Sequence, residues 1–393
     1  QAFLSRVALY EGTWQKFREN DERGKELLKI AVDAAKAVID SRVFSLFQPK
    51  ELGVFAYKYL FIWENTQSNP ANLTKSANTE YIFSRRYDEV LNSIGFNITQ
   101  GFVNKAVFMT RKMANMYLTD KGLPIDPTDE NMYKKMDSEF ANRDNRMQNT
   151  MMIAGRPYWA NTNGRMTWKE DATDLELAFY KSFDPKSRSG YFCQKWATER
   201  KVASGKEGYD FPIIRYAEVL LNLAECAAEV GNKSDEVYTI LKDIRKRAGI
   251  TANADGLYGL KANMSQQELI DAVLYERRIE LAYEGKRFWD LLRRKIFSDM
   301  QGYSRYRIEI QVKSEYATMA RRDFITMIKN DPELMTKNYF KYFTTQTWRI
   351  DETYQWNVKD TYYFQGLARK HFEQNPKLQQ TIGWESGDFD PLK

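Results

Sequence analysis

Residues 265–294, SQQELIDAVLYERRIELAYEGKRFWDLLRR, read as one long amphipathic helix. Ser265 is a good N-cap. Glu268, three positions on, completes a capping box in which each side chain accepts from the other's backbone N–H. Ile270, Leu274, Leu281, Phe288 and Leu292 recur at three- and four-residue steps and predict one buried stripe. Gly285 falls on that stripe. Glycine inside a helix costs roughly 1 kcal/mol against alanine, so it marks close packing or a kink. The other faces carry Glu276, Arg277, Arg278, Glu280, Glu284, Lys286, Arg287, Asp290, Arg293 and Arg294. Glu276, Glu280 and Glu284 repel one another one turn apart. Cations must neutralise them, either Arg277, Arg278 and Arg287 of the same segment or groups from another element.

Composition narrows the classes. With 43% hydrophobic residues the chain can bury a sizeable core, and it has no apolar run long enough to span a membrane as a helix. A net charge of +6 from 59 basic and 53 acidic residues is mild and mixed, with no long basic block, which argues against nucleic acid as the partner. Two cysteines, Cys193 and Cys226, are too few for a disulfide framework; the expected state is buried and inert, with a mutual disulfide as the alternative. The chain opens at Gln1 with QAFLSRVALYEG, which reads as the inside of a helix. The expectation is that this sequence begins within a longer product whose export signal and anchor lie upstream.

Along the chain, residues 1–40 predict a helix pair, the first helix ending near Tyr10–Gly12 and the second running from about Arg23 to Asp40. Its Ala-x-Tyr-x-Gly ending and Ala-rich partner suggest a tetratricopeptide-like hairpin, though any helical hairpin would fit these residues. Residues 41–211 are loop-rich. They hold an apolar run at Leu60–Trp63, a polar loop from Asn65 to Asn78, a strand around Glu80–Tyr87 and a helix near Lys105–Leu118. Asp144, flanked by Arg143 and Arg146, predicts a buried ion pair. Residues 212–294 are the helical repeat region: Pro212 suits a helix start, Gly231-Asn232 a helix end, and Ser234 the next N-cap. Residues 295–393 are expected to be loop-rich and aromatic with short helices.

Several of these stretches, in this order, resemble the SusD/RagB family of outer-membrane lipoproteins. The segment ERRIELAYEGKRFWDLLRR is similar to the family's helix near its C-terminus. PIIRYAEVLLNLAECAAEVGN followed by LKDIRKRAGI matches its C-terminal tetratricopeptide-like pair almost completely. ALYEGTW resembles an earlier helix, and Glu80–Phe83 an "E-I-I-F" strand. Tyr117–Ile125 resembles a "Y-x-T-x-D-G-L-P-I" turn. Phe140–Met147 resembles "F-x-N-R-D-P-R-L", with Asn145 where proline is usual. Tyr191–Trp196 resembles a "Y-x-x-R-K-Y/F" strand, with Gln194 in place of arginine. Asn375–Gln380 and Gly383-Trp384 resemble the closing "N-P-x-L-x-Q-N-P-G-W", with Thr381-Ile382 for Asn-Pro. The resemblance implies a single SusD-like domain over residues 1–393 that is incomplete at its N-terminus. The expected fold class is mainly α: tetratricopeptide-like helical hairpins with a loop-rich region and short β-strands.

Catalytic signatures are sparse. His371 is the one histidine, a poor metal site on its own. The sequence has no G-x-S-x-G elbow, Walker loop or G-x-G-x-x-G. Glu276 and Glu280 could form a glycosidase pair, but helical spacing and nearby arginines favour a structural salt network. No catalytic residue, metal ligand or cofactor is assigned. Binding fits better. Nine Trp, 24 Tyr and 23 Phe exceed what the helical faces need, and several sit in polar loops. A ring face there would stack on a sugar while Asn, Gln, Arg or Asp bind its hydroxyls; the alternative for each ring is to cover the core beneath a loop. Trp14 and Trp289 are assigned to packing. Trp63, Arg86, Tyr87, Phe96, Asn97, Tyr158 and Trp159 are the candidate ligand contacts, because they fall in the polar loop regions.

The resemblance implies a non-catalytic, lipid-anchored protein on the extracellular face of the cell outer membrane. Its partner would be a SusC-like TonB-dependent transporter, and its cargo an oligosaccharide for import. Oligopeptide capture with the same type of transporter, a protein-interaction scaffold and a glycoside hydrolase are the alternatives.

Overall fold

The computed structural model describes residues 1–96, 98–99, 108–129, 139–151, 191–198, 203, 205–231, 234–303, 306–331, 342–349 and 355–391. The first hairpin joins α1 (Ala2–Gln15) to α2 (Asp21–Asp40). Asn20 caps α2 by accepting the Arg23 N–H, and Asp21 and Glu22 sit in its first turn, where the positive end of the helix dipole favours them. The two helices approach closely because Gly12 faces Gly24 and Leu28; a Cβ on Gly12 would lie 3.0 Å from Leu28. α1 runs three residues beyond the predicted end near Gly12.

The other α-helices among the described residues are α3 (Ala56–Tyr59), α4 (Arg111–Met116), α5 (Asn145–Thr150), α6 (Tyr216–Val230), α7 (Ser234–Arg247), α8 (Gln266–Glu280), α9 (Arg287–Arg293), α10 (Arg321–Lys329) and α11 (Arg369–Gln374). α6 is the hub: α2, α7 and α8 all pack on it, giving stacked helical hairpins of tetratricopeptide type. Leu9, Leu28, Ala31, Val219, Leu223, Leu241 and Val273 are buried in this shared core.

The strands are short. β1 (Tyr81–Arg85) pairs antiparallel with β4 (Phe211–Arg215), β2 (Phe108–Met109) with β3 (Tyr191–Phe192), and β5 (Tyr306–Val312) with β6 (Phe343–Arg349). Three expectations are corrected here. Pro212 does not open a helix; it lies in β4 opposite Ser84, and α6 starts at Tyr216, whose N–H donates to Glu80 O at 2.8 Å. The helix expected over Lys105–Leu118 is confined, among the described residues, to α4, preceded by a strand. The C-terminal region contains the antiparallel pair of seven-residue strands β5 and β6; the alternation of Tyr306, Ile308, Ile310 and Val312 with polar residues is the strand signal that the loop-rich reading passed over.

The stretch 265–294 is two helices, not one. The Ser265–Glu268 capping box forms as predicted. α8 then ends at Glu280, and residues 281–285 make a turn in which Tyr283 and Gly285 adopt φ of 62° and 73°. A Cβ on Gly285 would meet nothing within 4 Å, so the glycine serves the left-handed backbone and not close packing. The predicted stripe holds at Ile270 and Leu281 and fails at Phe288, which is exposed. Trp289, expected to be packing, is half exposed against Phe288.

The charged side chains instead go inward. Arg146 pairs with Asp144, Glu276 and Glu280 at 2.6, 2.6 and 2.9 Å. Arg215 pairs with Glu80, Glu280 and Glu284 at 2.6, 2.7 and 2.7 Å. Arg247 reaches Glu80 and Glu280, Arg245 reaches Glu276, and Lys195 reaches Glu284. The neutralising cations of Glu276, Glu280 and Glu284 therefore come from other elements. The salt-network reading of Glu276 and Glu280, and the buried Asp144–Arg146 pair, are both found. The end of α8 is closed the same way: Glu280 O accepts from Tyr57 Oη at 2.5 Å and Arg215 at 2.7 Å, and Ala282 O from Lys195 Nζ at 2.7 Å. Cations at a helix C-terminus satisfy orphan carbonyls and oppose the dipole. A second network, Arg277 and Arg293 with Glu225 and Asp290, ties α8 and α9 to α6.

Burial pushes the Glu276, Glu280 and Glu284 carboxyls up, and the facing arginines overcome it and hold all three below the usual range; Asp290 is lowered to about 2 by the same balance. A folded-state value below the unfolded one means that stability is present above the unfolded pKa, near 4, and is lost as pH falls through the folded values. Thermal melts should therefore show Tm dropping by roughly 10 °C or more between pH 6 and pH 3. A flat profile would contradict the network's ionised state.

Candidate binding cleft

The antiparallel register places Arg85 opposite Phe211, so the residues just after β1 and just before β4 lie at one end of the ribbon. There, Arg86, Tyr87, Asp88 and Asp210 meet the polar loop around Lys75–Asn78 and form a cleft of about 520 Å³. Trp63, Leu60 and Tyr81 line it from the core side.

This cleft is held from below. Lys75 Nζ donates to Tyr87 O, Gly208 O and Asp210 Oδ1 at 2.5, 2.6 and 2.7 Å. Asp210 also accepts the Tyr87 N–H at 2.9 Å. Asn78 accepts from the backbone of Glu80 and Tyr81, and Asn92 donates to Arg86 O at 2.9 Å. Asp88 accepts from the Val90 and Leu91 amides, bonds that hold its carboxyl below the usual range. The carboxylates here thus secure backbone. Among the described residues, the Arg86 guanidinium, the Tyr87 hydroxyl and the Ser84 hydroxyl make no such bond and face the cleft's rim. Such a rim offers hydrogen bonds to a polar ligand.

Of the candidate residues, Trp63, Arg86 and Tyr87 are brought together. Trp63 is 4% exposed, with its indole N–H donated to Leu73 O at 2.9 Å, so it is chiefly core. It belongs to an aromatic cluster with Phe47, Tyr57, Phe61, Trp196 and Tyr209, which absorbs many of the rings that composition left unexplained. Phe96 is 65% exposed and does not line the cleft. Asn97, Tyr158 and Trp159 lie outside the described residues. Sequence reading missed Lys75, Asp210 and Asn92. Asp210 lies more than a hundred residues from Lys75 in sequence, and only the β1–β4 pairing joins them.

A second groove, about 610 Å³, is lined by Phe288, Phe297, Trp356, Tyr362, Phe364 and Trp384 among others, with Gln365 as its main polar group. Cys193 and Cys226 are both buried and free, and burial pushes the Cys193 thiol up to about 12. His371 is exposed on α11. No group of metal-ligating residues occurs among the described residues, and none of their helices is long and apolar enough to cross a membrane.

Residues 61–384, most of the chain, match the SusD family. The chain belongs to that family. It is similar to SusD-like protein P2 of Formosa agariphila, 35% identical over 89 residues, which are 23% of this chain and 18% of that protein. SusD-like protein P38 of the same organism is 34% identical over 82 residues, 21% of this chain and 16% of that one. Among solved structures, a SusD-like protein from Bacteroides fragilis superposes with a TM-score of 0.64 at 18% identity, over 97% of this chain and 63% of that one. A SusD-like carbohydrate-binding protein from the same species gives 0.52 at 19% identity, over 86% and 58%. The chain thus spans less than two thirds of the length of these structures.

Lys75 holds three acceptors from two distant segments. Lys75→Met should lower unfolding free energy by about 1–2 kcal/mol, measured by urea denaturation. An unchanged midpoint would show that the cleft floor is held by other contacts.

Proposed function

We propose that this chain is a non-catalytic binding protein that captures oligosaccharide at the polar cleft. The carrying observation is the convergence of Arg86, Tyr87 and Ser84, whose side-chain polar groups make no hydrogen bond among the described residues, on a floor fixed by Lys75, Asp210 and Asn92. Sugar recognition needs hydroxyl partners and a ring face, and no acid or base. Arg86 would donate to sugar oxygens, and the half-buried Tyr87 would supply both a ring and a hydroxyl. The carboxylate pair once in question for hydrolysis, Glu276 and Glu280, is buried and committed to arginines, which leaves neither to act on a substrate.

Membership of the SusD family, and a family neighbour described as carbohydrate binding, support this reading. With it goes a role at the extracellular face of the outer membrane, anchored by lipid, beside a SusC-like TonB-dependent transporter that takes up the cargo. The stacked hairpins give a rigid body able to move as a unit over such a transporter.

The test is retention on a panel of immobilised neutral oligosaccharides. Arg86→Ala with Tyr87→Ala should weaken retention of the bound glycan about tenfold or more, with unchanged circular dichroism. Equal retention by the double variant, with loss on Trp356→Ala, would move the site to the aromatic groove. Retention of peptides and of no glycan would favour oligopeptide capture.

A further inference from the structure

A third cleft, about 350 Å³, opens between α8, α9 and the corner after α1. Its polar lining is rich in cations: Lys16, Arg278, Arg287 and Arg294, against the carboxylates of Asp271 and Asp299. Two of the cations are committed elsewhere, since Lys16 and Arg294 both pair with Glu229. The other two are not. Among the described residues, the half-buried Arg278 guanidinium has no hydrogen bond and no ion pair. Arg287 has one long contact, 3.7 Å, to the exposed Asp299. Asp271 is exposed and accepts from Gln267.

An unpaired guanidinium taken partly out of water is an unfavourable arrangement. Here the unpaired Arg278, the loosely paired Arg287 and nearby Lys112 raise one another's cost. Burial first, and then Arg278, lowers Arg287 to about 10; burial, then Arg278, lowers Lys112. Arg278 is itself lowered, chiefly by burial. A neighbouring hollow shares Met116 and Tyr275 with the cleft and adds Lys112, whose ammonium lies 4.9 Å from the Tyr303 ring centre. The structure therefore sets two planar five-donor groups and a third cation beside two tyrosine rings, with too little negative charge to balance them.

We propose that this cleft binds the oxyanion of an acidic ligand, a sulfate or carboxylate group held by Arg278 and Arg287. Guanidinium forks match such groups with two parallel N–H···O bonds. Tyr275 and Tyr303 would flank whatever carries the oxyanion. This site is separate from the cleft at the β1–β4 ribbon and stands whether or not that cleft binds sugar.

The experiment is calorimetric titration of the purified chain with inorganic sulfate, galactose 6-sulfate and trigalacturonate, against sodium chloride at matched ionic strength. The wild type should show saturable binding of at least one probe. Arg278→Gln and Arg287→Gln should each weaken it about tenfold, while Lys370→Gln, on an exposed residue of α11, should not. Sugar-borne probes binding more tightly than inorganic sulfate would identify an acidic glycan as the source; equal affinity would identify a free anion. In anion-free buffer Arg278→Gln should melt no lower than the wild type, because it removes an uncompensated charge; a merely structural arginine would give a lower Tm. No saturable binding, affinity unchanged in both variants, or a destabilised Arg278→Gln protein in anion-free buffer would overturn the proposal.

Discussion

Glu276 and Glu280 close α8 and Glu284 lies in the turn just beyond it, and three buried carboxylates so close in the chain cannot coexist without cations. Five cations from four other places supply the balance: Arg146 on α5, Lys195 beyond β3, Arg215 at the end of β4, and Arg245 and Arg247 on α7. Removing two ions from water costs several kcal/mol each, and their attraction repays that only when geometry and hydrogen bonds are complete. The network is therefore better understood as a device for specificity than as a source of net stability. Its members come from loop, ribbon and helices, so they meet only when those elements are docked together. Glu80 and Arg215 carry it to the cleft, because Tyr81 and Arg215 are opposed in the β1–β4 pairing.

This explains what the sequence could and could not disclose. The capping box at Ser265, the helical hairpins and the Asp144–Arg146 pair follow from local spacing and were readable. The break at residues 281–285 was signalled only by Gly285, read as close packing or a kink, because the hydrophobic stripe continues through it at the right period while Tyr283 and Gly285 take left-handed φ values. The inward turn of the charged face was not readable. A period-3.6 pattern assigns charged residues to solvent by default, and only partners from distant segments reverse that assignment. Pro212 misled for a similar reason: proline fits both the first turn of a helix and a strand, and the pairing of β4 with β1 decides between them.

The candidate site shows the same limit. Polar loop composition singled out Arg86 and Tyr87, which do line the cleft, and Trp63, whose indole is mostly core. Lys75 and Asp210 support the cleft and could not be found locally, since neither has a motif and they are far apart in the chain. The apolar, polar and cationic clefts lie on one scaffold whose buried networks pair Glu276, Glu280 and Glu284 with arginines and a lysine. Arg86 is exposed at one cleft and Arg278 is half-buried in another, and neither has an ion pair among the described residues.

Hydrogen–deuterium exchange on the Arg215→Met variant tests the network's role most directly, because methionine fills similar volume and leaves Glu80, Glu280 and Glu284 short of a cation. The account predicts that amide protection falls first in β1, β4 and the last turn of α8, while the α1–α2 hairpin and the interior of α6 keep theirs. Protection unchanged in the ribbon, or lost evenly across the molecule, would contradict it.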